Sequence, residues 1–293
     1  MNRRIFSTAQ WLTFICLLFV EKCPIEAQKI LFISIPSFSH LNGLISIARE
    51  LEANHPDVEI SFAVFDGQAS FIQQRVKRVQ IVSLGPMQNK INQPKFVVEY
   101  GETLLAFMKR ISLPGFLSLY EPMHAGLLKA NLSNNFDLLV INMFAFAAQD
   151  FAHDLNIPFV IHSCTSVEGV FYLPSWIPHG YDILTQNDLA TSFFTRVYNY
   201  LIEPLRIIYY LGPGMMELDL LRKRNNRTTQ GIHPLFTNPV QRWQGHPIFV
   251  PYPLAFDFRR SYTPNYHLLG FILDPQDSKE QNLDVSIRFS NWT

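Results

Sequence analysis

The chain has 293 residues, enough for one large domain or two modest ones with a sizeable core. Hydrophobic residues make up 48% and charged residues 16%, as in ordinary globular proteins, and the formal net charge is zero. Because a neutral chain has no basic field to attract a polyanion, nucleic acid is excluded from its expected partners.

Residues 1–27 have the pattern of a secretory signal peptide. Arg3 and Arg4 precede an apolar run from Trp11 to Val20, and Ala27 is a small residue at the cleavage position. The run is too short to span a bilayer comfortably. We predict cleavage after Ala27 and a location in the secretory pathway, either the lumen of the endoplasmic reticulum or the exterior.

Three Asn-X-Ser/Thr tripeptides also favour an oxidising compartment. They begin at Asn131, Asn226 and Asn291, and the last lies at the extreme C-terminus. Asn131 and Asn226 are therefore the predicted glycosylation sites. After residue 28 no stretch has the roughly 18 consecutive apolar residues of a spanning helix, so membrane association, which stays open, would need another route.

The first strand and helix are predicted within residues 29–51. An almost unbroken apolar run from Ile30 to Ile35 is typical of a strand buried on both faces of a parallel sheet. Apolar residues then recur at helical spacing on one stripe. The stripe consists of Leu41, Leu44, Ile45, Ala48 and Leu51.

His40 lies at the junction of this strand and helix. In an open α/β sheet that junction is outside the carboxyl end of a strand, where ligands bind. A helix N-terminus disfavours positive charge, so an imidazole there tends to stay neutral and able to accept a proton. A polar loop residue without a ligand is the alternative interpretation.

Two further strands are predicted at residues 58–64 and 79–83. In the former, apolar side chains alternate with Glu59, Ser61 and Ala63, which predicts one less buried face. Residues 97–131 have a mostly helical pattern, split at Pro114–Gly115. Residues 175–230 are irregular and then helical, with apolar clusters around Phe193, Leu201 and Ile207.

A second strand–helix–strand unit is predicted at residues 137–162. Residues 137–142 form a strand, residues 144–155 a helix and residues 158–162 the next strand, and two short strands follow at 247–250 and 267–270. Strands alternating with helices at this spacing predict an α/β fold with a doubly wound parallel sheet.

Two groups of charged residues are predicted to be solvated. Asp150 and Asp154 lie four residues apart on one helix face, and a basic run extends from Arg222 to Arg224. Motifs for a metal site, a paired cysteine site or a serine nucleophile are absent from the sequence.

Both strand–helix units resemble the UDP-glycosyltransferases of the two-domain GT-B type. The loop from Pro36 to Gly43 reads PSFSHLNG, close to the family pattern P-S-x-x-H-x-x-P. Residues 137–142 read DLLVIN where the family has D-x-x-V-x-D, and L-x-I-P-x-V and a Ser/Thr-rich loop follow at 155–160 and 163–166. This chain departs from the pattern at Gly43, often proline in the family, and at Asn142, where the family has aspartate.

The resemblance implies that residues 28–275 form the Rossmann-like, acceptor-binding N-terminal domain of a GT-B fold. It implies that His40 is the general base toward the acceptor hydroxyl and that Asn142 occupies the place of its orienting aspartate. An amide oxygen there would accept the imidazole N–H but bring no negative charge. The residues expected to contact the acceptor are Ser37, Phe38, Phe144, Ser163, Thr165 and Trp176.

The resemblance also implies hexosyl transfer from a UDP-sugar, a co-substrate rather than a bound cofactor, to a small lipophilic acceptor. The donor-binding second domain of the family has no counterpart here, and residues 276–293 are predicted as a tail or the start of an interdomain linker. Catalysis would then be incomplete in this chain alone. The alternatives are a partner chain that supplies the donor domain, or a non-catalytic acceptor-binding protein. An unrelated nucleotide-binding module would lack its phosphate loop.

Expression in a eukaryotic secretory system tests the predicted compartment. We expect a mature chain that starts at Gln28 and loses mass on endoglycosidase treatment, as measured by N-terminal sequencing and intact-mass spectrometry. A variant with Asn131→Gln and Asn226→Gln should show no mass shift. An uncut, unglycosylated product would contradict the prediction.

Overall fold

A computed structural model of the protein describes residues 29–87, 104–131, 136–163, 186–225, 245–250 and 266–269. The predicted signal peptide, Thr165, Trp176, Asn226 and Asn291 lie outside these residues. Asn131 ends a helix at the edge of a described range.

Seven strands of the described residues form one parallel sheet, in the order β3-β2-β1-β4-β5-β6-β7. The strands are β1 (Lys29–Ile33), β2 (Glu59–Val64), β3 (Val79–Ser83), β4 (Leu138–Asn142), β5 (Phe159–His162), β6 (Ile248–Val250) and β7 (Tyr266–Leu268). Strand order reverses between β1 and β4, which defines a doubly wound sheet. The predicted α/β class and Rossmann-like sheet are confirmed.

Helices cover both faces of this sheet. They are α1 (Phe38–Asn54), α2 (Ala69–Gln73), α3 (Leu104–Phe107), α4 (Leu113–Ser118), α5 (Tyr120–Asn131), α6 (Phe146–Asp154), α7 (Gln186–Thr191), α8 (Phe193–Val197) and α9 (Glu203–Arg224). π-helical turns at Met108–Ser112 and Tyr198–Ile202 join α3 to α4 and α8 to α9. Within the described ranges, no helix has both the length and the apolarity needed to cross a membrane.

The core divides into two layers because successive side chains of a strand point to opposite faces. On one face, Phe32 and Val140 pack against α1, whose predicted apolar stripe is buried throughout. On the other face, Leu31 and Ile141 pack against α4, α5, α6 and α9. Both faces of β1 are therefore buried, as its unbroken apolar run predicted.

The predicted less buried face of β2 is wrong. Ser61 and Ala63 are buried, and Glu59 alone in this strand is exposed. Alternation of polarity did not predict the burial of this strand, because small side chains such as serine and alanine can be buried beneath a helix as well as exposed to water.

The predicted split at Pro114–Gly115 is also wrong. Both residues lie inside α4, directly after the π-helical turn, and the chain breaks instead at Leu119, between α4 and α5. Pro114 is the second residue of α4. That helix directly follows the π-helical turn at Met108–Ser112, where the regular i to i−4 hydrogen-bond ladder is already interrupted, so the missing N–H of a proline is tolerated there.

A buried ion pair joins two of the helices that were predicted to present solvated charges. Arg222 of α9 donates from Nε to Oδ2 of Asp150 at 2.8 Å and from Nη2 to Oδ1 at 2.9 Å. The hydroxyl of Tyr120 in α5 donates to the same Oδ2 at 2.6 Å. Arg222 is only 3% exposed and Asp150 8%, so the prediction of solvated faces is wrong for both.

The same prediction holds for their neighbours, since Asp154, Lys223 and Arg224 are exposed. Burial alone would lower the pKa of Arg222, but the hydrogen bonds and charge of Asp150 outweigh it and raise that pKa above its ordinary value. The guanidinium therefore stays charged and bidentate.

Removing one partner of this pair should destabilise the fold strongly. Arg222→Met leaves a buried carboxylate without its counter-charge, and we expect a loss of about 3–5 kcal/mol in the free energy of unfolding. Arg224→Met makes the same substitution at an exposed arginine of the same helix, with an expected change within about 0.5 kcal/mol. Urea unfolding of both variants measures the difference. Equal losses would show that the ion pair does not hold α9 in place.

Candidate functional site at the carboxyl edge of the sheet

The carboxyl ends of β1 and β4 meet where the strand order reverses, and His40 and Asn142 lie there. His40 is in the first turn of α1, which follows β1, and Asn142 is the last residue of β4. Although 102 residues separate them in sequence, His40 Nδ1 lies 3.0 Å from Asn142 Nδ2. The fold thus brings together the two residues that the resemblance singled out.

The orientation of the Asn142 amide follows from a second hydrogen bond. The backbone N–H of Phe144 donates to Asn142 Oδ1 at 3.1 Å, so the amide nitrogen faces the imidazole. An amide nitrogen donates only, and His40 Nδ1 must therefore accept. In the neutral ring the proton is then on Nε2. The expectation that the amide oxygen would accept an imidazole N–H is wrong for this arrangement.

The electrostatics of the site keep His40 neutral. Burial lowers the pKa of His40 to about 4. A hydrogen bond from the ring to the amide oxygen would raise that pKa, but here the amide N–H faces the ring and stabilises its uncharged form. The N-terminus of α1 acts in the same direction. A neutral imidazole at pH 7 agrees with its predicted place at a helix start.

Aromatic rings border His40 on one side. The ring of Phe144 meets the imidazole edge-on, with centroids 5.5 Å apart, and stacks on Phe116 at 4.6 Å. Phe38, in contrast, is 56% exposed and packs edge-on against Phe71. Of the two phenylalanines expected at the acceptor, Phe144 is the one that contacts His40.

The remaining expected contact residues are positioned less directly. Ser37 directly precedes α1, and its hydroxyl lies 3.0 Å from that of Ser39. Ser163 follows β5, is fully buried and donates its hydroxyl to the sulfur of Met143 at 3.1 Å. Thr165 and Trp176 lie outside the described residues.

Sequence reasoning missed a buried polar row beside Asn142. Asn142 pairs in register with His162 of β5, and Ser34 follows Ile33, which pairs with Ile141. All three polar residues are at most 1% exposed. In the part of the chain that the structure describes, the Ser34 hydroxyl and both ring nitrogens of His162 have no hydrogen-bond partner.

Gly43 makes room for the imidazole of His162. A Cβ at Gly43 would lie 2.6 Å from His162 Nε2 and 2.8 Å from its Cε1. Burial, and to a lesser degree the nearness of His40, lowers the pKa of His162 to about 3, so this ring is also neutral at pH 7. One sequence signal was available, because a glycine inside a predicted helix usually has a packing reason.

The fit between Gly43 and His162 predicts that the effect of Gly43→Ala on the free energy of unfolding changes sign when His162 is replaced by alanine. Gly43→Ala should destabilise the protein by about 1–3 kcal/mol, since the fully buried ring has to shift. In a His162→Ala background the same change should be neutral or stabilising, because alanine is the better helix former by about 1 kcal/mol. Urea unfolding measures the four free energies.

Gly115→Ala is the matched control for this cycle. A Cβ at Gly115, inside α4, would meet no atom within 4 Å. We expect this variant to be neutral or more stable than the wild type. Stabilisation by Gly43→Ala in the wild-type background would contradict the proposed fit.

No protein-family model and no curated protein matches this chain. Among solved structures it is similar to the calicheamicin glycosyltransferase, with 14% identity, a TM-score of 0.46 and coverage of 86% of this chain and 53% of that one. It is also similar to Phytolacca americana UGT2 complexed with UDP-2fluoro-glucose and pterostilbene, with 14% identity and a TM-score of 0.46. That match covers 87% of this chain and 56% of that one. A glycosyltransferase from Streptomyces nogalater is similar too, with 16% identity, a TM-score of 0.45 and coverage of 82% of this chain and 50% of that one. The chain spans about half the length of these proteins.

Proposed function

We propose that this chain provides the acceptor-binding domain of a UDP-sugar-dependent hexosyltransferase acting on a small lipophilic acceptor. The contact of His40 with Asn142, across 102 residues, carries the proposal. The resemblance gives His40 the place of the general base and Asn142 the place of the aspartate that orients it. They also lie where the strand order reverses, the place at which open α/β sheets bind ligands.

In the proposed reaction His40 takes the proton of the acceptor hydroxyl, and the acceptor oxygen attacks the anomeric carbon of the UDP-sugar. UDP then leaves with the electron pair of the broken bond. The stacked rings of Phe144 and Phe116 offer an apolar surface to a lipophilic acceptor. We propose that a donor-binding domain, in the same protein or in a partner chain, holds the diphosphate.

The role of His40 as general base meets an obstacle in the Asn142 amide. A base that faces the acceptor needs a lone pair on Nε2, whereas the amide places the proton there. Rotating the amide would reverse this, but it would leave the N–H of Phe144 facing another N–H. An unsatisfied buried donor of this kind costs about 1–3 kcal/mol.

This obstacle favours a second function, binding of an acceptor-like ligand without catalysis. The two functions share the crevice and differ only in whether sugar is transferred. A secretory location is proposed for both, on the grounds of the N-terminal pattern and the Asn-X-Ser/Thr tripeptides.

Transfer measured with a co-expressed donor-binding domain of a UDP-glycosyltransferase tests the proposal. His40→Ala should lower kcat/KM by at least about tenfold, the worth of one hydrogen bond to a charged group at the reacting oxygen. His55→Ala, at the far end of α1, is the control and should leave kcat/KM unchanged. Equal effects of both variants would contradict the place given to His40, and ligand binding without any transfer would favour the second function.

A further inference from the structure

We propose that the N-terminal end of α1, residues 38–43, is an acid-sensitive latch over the crevice. When His162 beneath it gains a proton, this end of the helix separates from β5 and the buried ring reaches water. The device depends on His162 and Gly43, and it holds whether or not the chain takes part in sugar transfer.

His162 is enclosed between the sheet and α1. It ends β5, where it pairs in register with Asn142 of β4 and Phe249 of β6, and it is only 1% exposed. On the helix side the ring lies against Gly43, where a Cβ would be 2.6 Å from Nε2. A shift of this end of α1 would therefore uncover the ring.

The surroundings of His162 suit a neutral ring. Both ring nitrogens are without a hydrogen-bond partner in the part of the chain that the structure describes. The amide of Asn142 is already used, its Nδ2 by His40 and its Oδ1 by the N–H of Phe144. An imidazolium would bring two N–H donors and a charge to this place, and burying an unpaired charge costs far more than burying a neutral ring.

No carboxylate among the described residues offsets such a charge. The influences that lower the pKa of His162, to about 3, are burial first and then His40 of α1. On the neighbouring strands, Asn142 and Phe249 carry no titratable group, and His267 of β7 pairs with Phe249 one strand further along. Each titratable group in this set is an imidazole, which repels a second positive charge once it is itself protonated.

The N-terminal end of α1 is held less firmly than β5. Ser37 precedes α1 without a side-chain hydrogen bond to the helix, and the first turn contains no acidic residue, so this helix start lacks the usual stabilisation. Gly43 weakens it further, since glycine is less favourable than alanine inside a helix. β5, in contrast, pairs with β4 on one side and β6 on the other. We therefore expect a charged His162 to release the helix end and leave the sheet intact.

Acid should open the latch through proton uptake. In the closed state the pKa values of His162 and His40 are about 3 and about 4, whereas in the opened state both return toward the ordinary value of 6.5. The opened state therefore binds more protons below pH 6.5, and the closed state loses stability as the pH falls. Between pH 6.5 and pH 5 the opening equilibrium should rise about 15-fold for each histidine that titrates, hence about 200-fold for both.

Hydrogen–deuterium exchange of the full chain, expressed in a eukaryotic secretory system, measures the opening at pH 6.5 and pH 5. Protection factors are corrected for the pH dependence of intrinsic exchange. In the wild type the amides of residues 41–44, which close the first turns of α1, should lose protection about 200-fold. At pH 5 they should be at least about tenfold less protected than the amides of β5, because the sheet stays intact.

Two variants and a control assign the effect to His162. His162→Leu and His162→Asn remove the titrating ring, one with an apolar and one with a polar side chain. Either should reduce the loss of protection to about 15-fold, the share of His40. His55→Leu removes a histidine from the other end of α1 and should keep the full loss. Wild-type protection that does not change with pH, His162 variants that keep the full loss, or equal protection of residues 41–44 and of β5 at pH 5 overturns the proposal.

Discussion

The reversal of strand order between β1 and β4 is the constraint on which the candidate site depends. The helices that follow these two strands leave toward opposite faces, α1 toward one layer of the core and α6 toward the other. A crevice therefore opens between their N-terminal ends, and whatever residues occupy those ends must face one another. His40 lies in the first turn of α1, and Asn142 ends β4 shortly before α6 begins. Their contact follows from the topology, and its chemistry follows from which atoms of the amide are turned toward the ring.

The orientation of that amide depends in turn on where α6 begins. Phe144 lies two residues before α6, and α6 is tied to the rest of its layer by the bidentate pair of Asp150 with Arg222 and by the hydroxyl of Tyr120. Burying two charges is costly, and the cost is repaid only where geometry is good and the remaining lone pairs are bonded. Asp150 meets that condition with three hydrogen bonds from α5 and α9. A cluster remote from His40 thus helps to fix the backbone N–H that decides the direction of the hydrogen bond at His40.

Hydrophobic periodicity predicted the strands and helices well, because a strand buried on both faces of a parallel sheet is a nearly continuous apolar run. The run after Lys29 and the stripe of α1 are examples. It failed where burial depends on a partner distant in sequence, as for Arg222, whose carboxylate lies 72 residues away. A run of three basic residues contains no sign that one of them faces inward. The resemblance supplied the pair His40 and Asn142, but which amide atom faces the ring depends on a single backbone N–H that no sequence pattern encodes. His162 and Ser34 left no periodic signal, since polar residues at strand ends are common.

The two departures from the family pattern, Gly43 and Asn142, both contact histidines in one buried neighbourhood. His40 and His162 are neutral at pH 7, because the pKa of each imidazole lies well below its ordinary value. The amide of Asn142 carries no charge either. An aspartate at 142 would place a charge on the same rung of the sheet as His162, a site with no exposure to water, and it would draw a proton to one of the two rings. The amide avoids that, and the glycine admits the second ring. The two departures are thus mutually consistent, because together they leave an uncharged polar cluster where the family pattern has a carboxylate beside an imidazole.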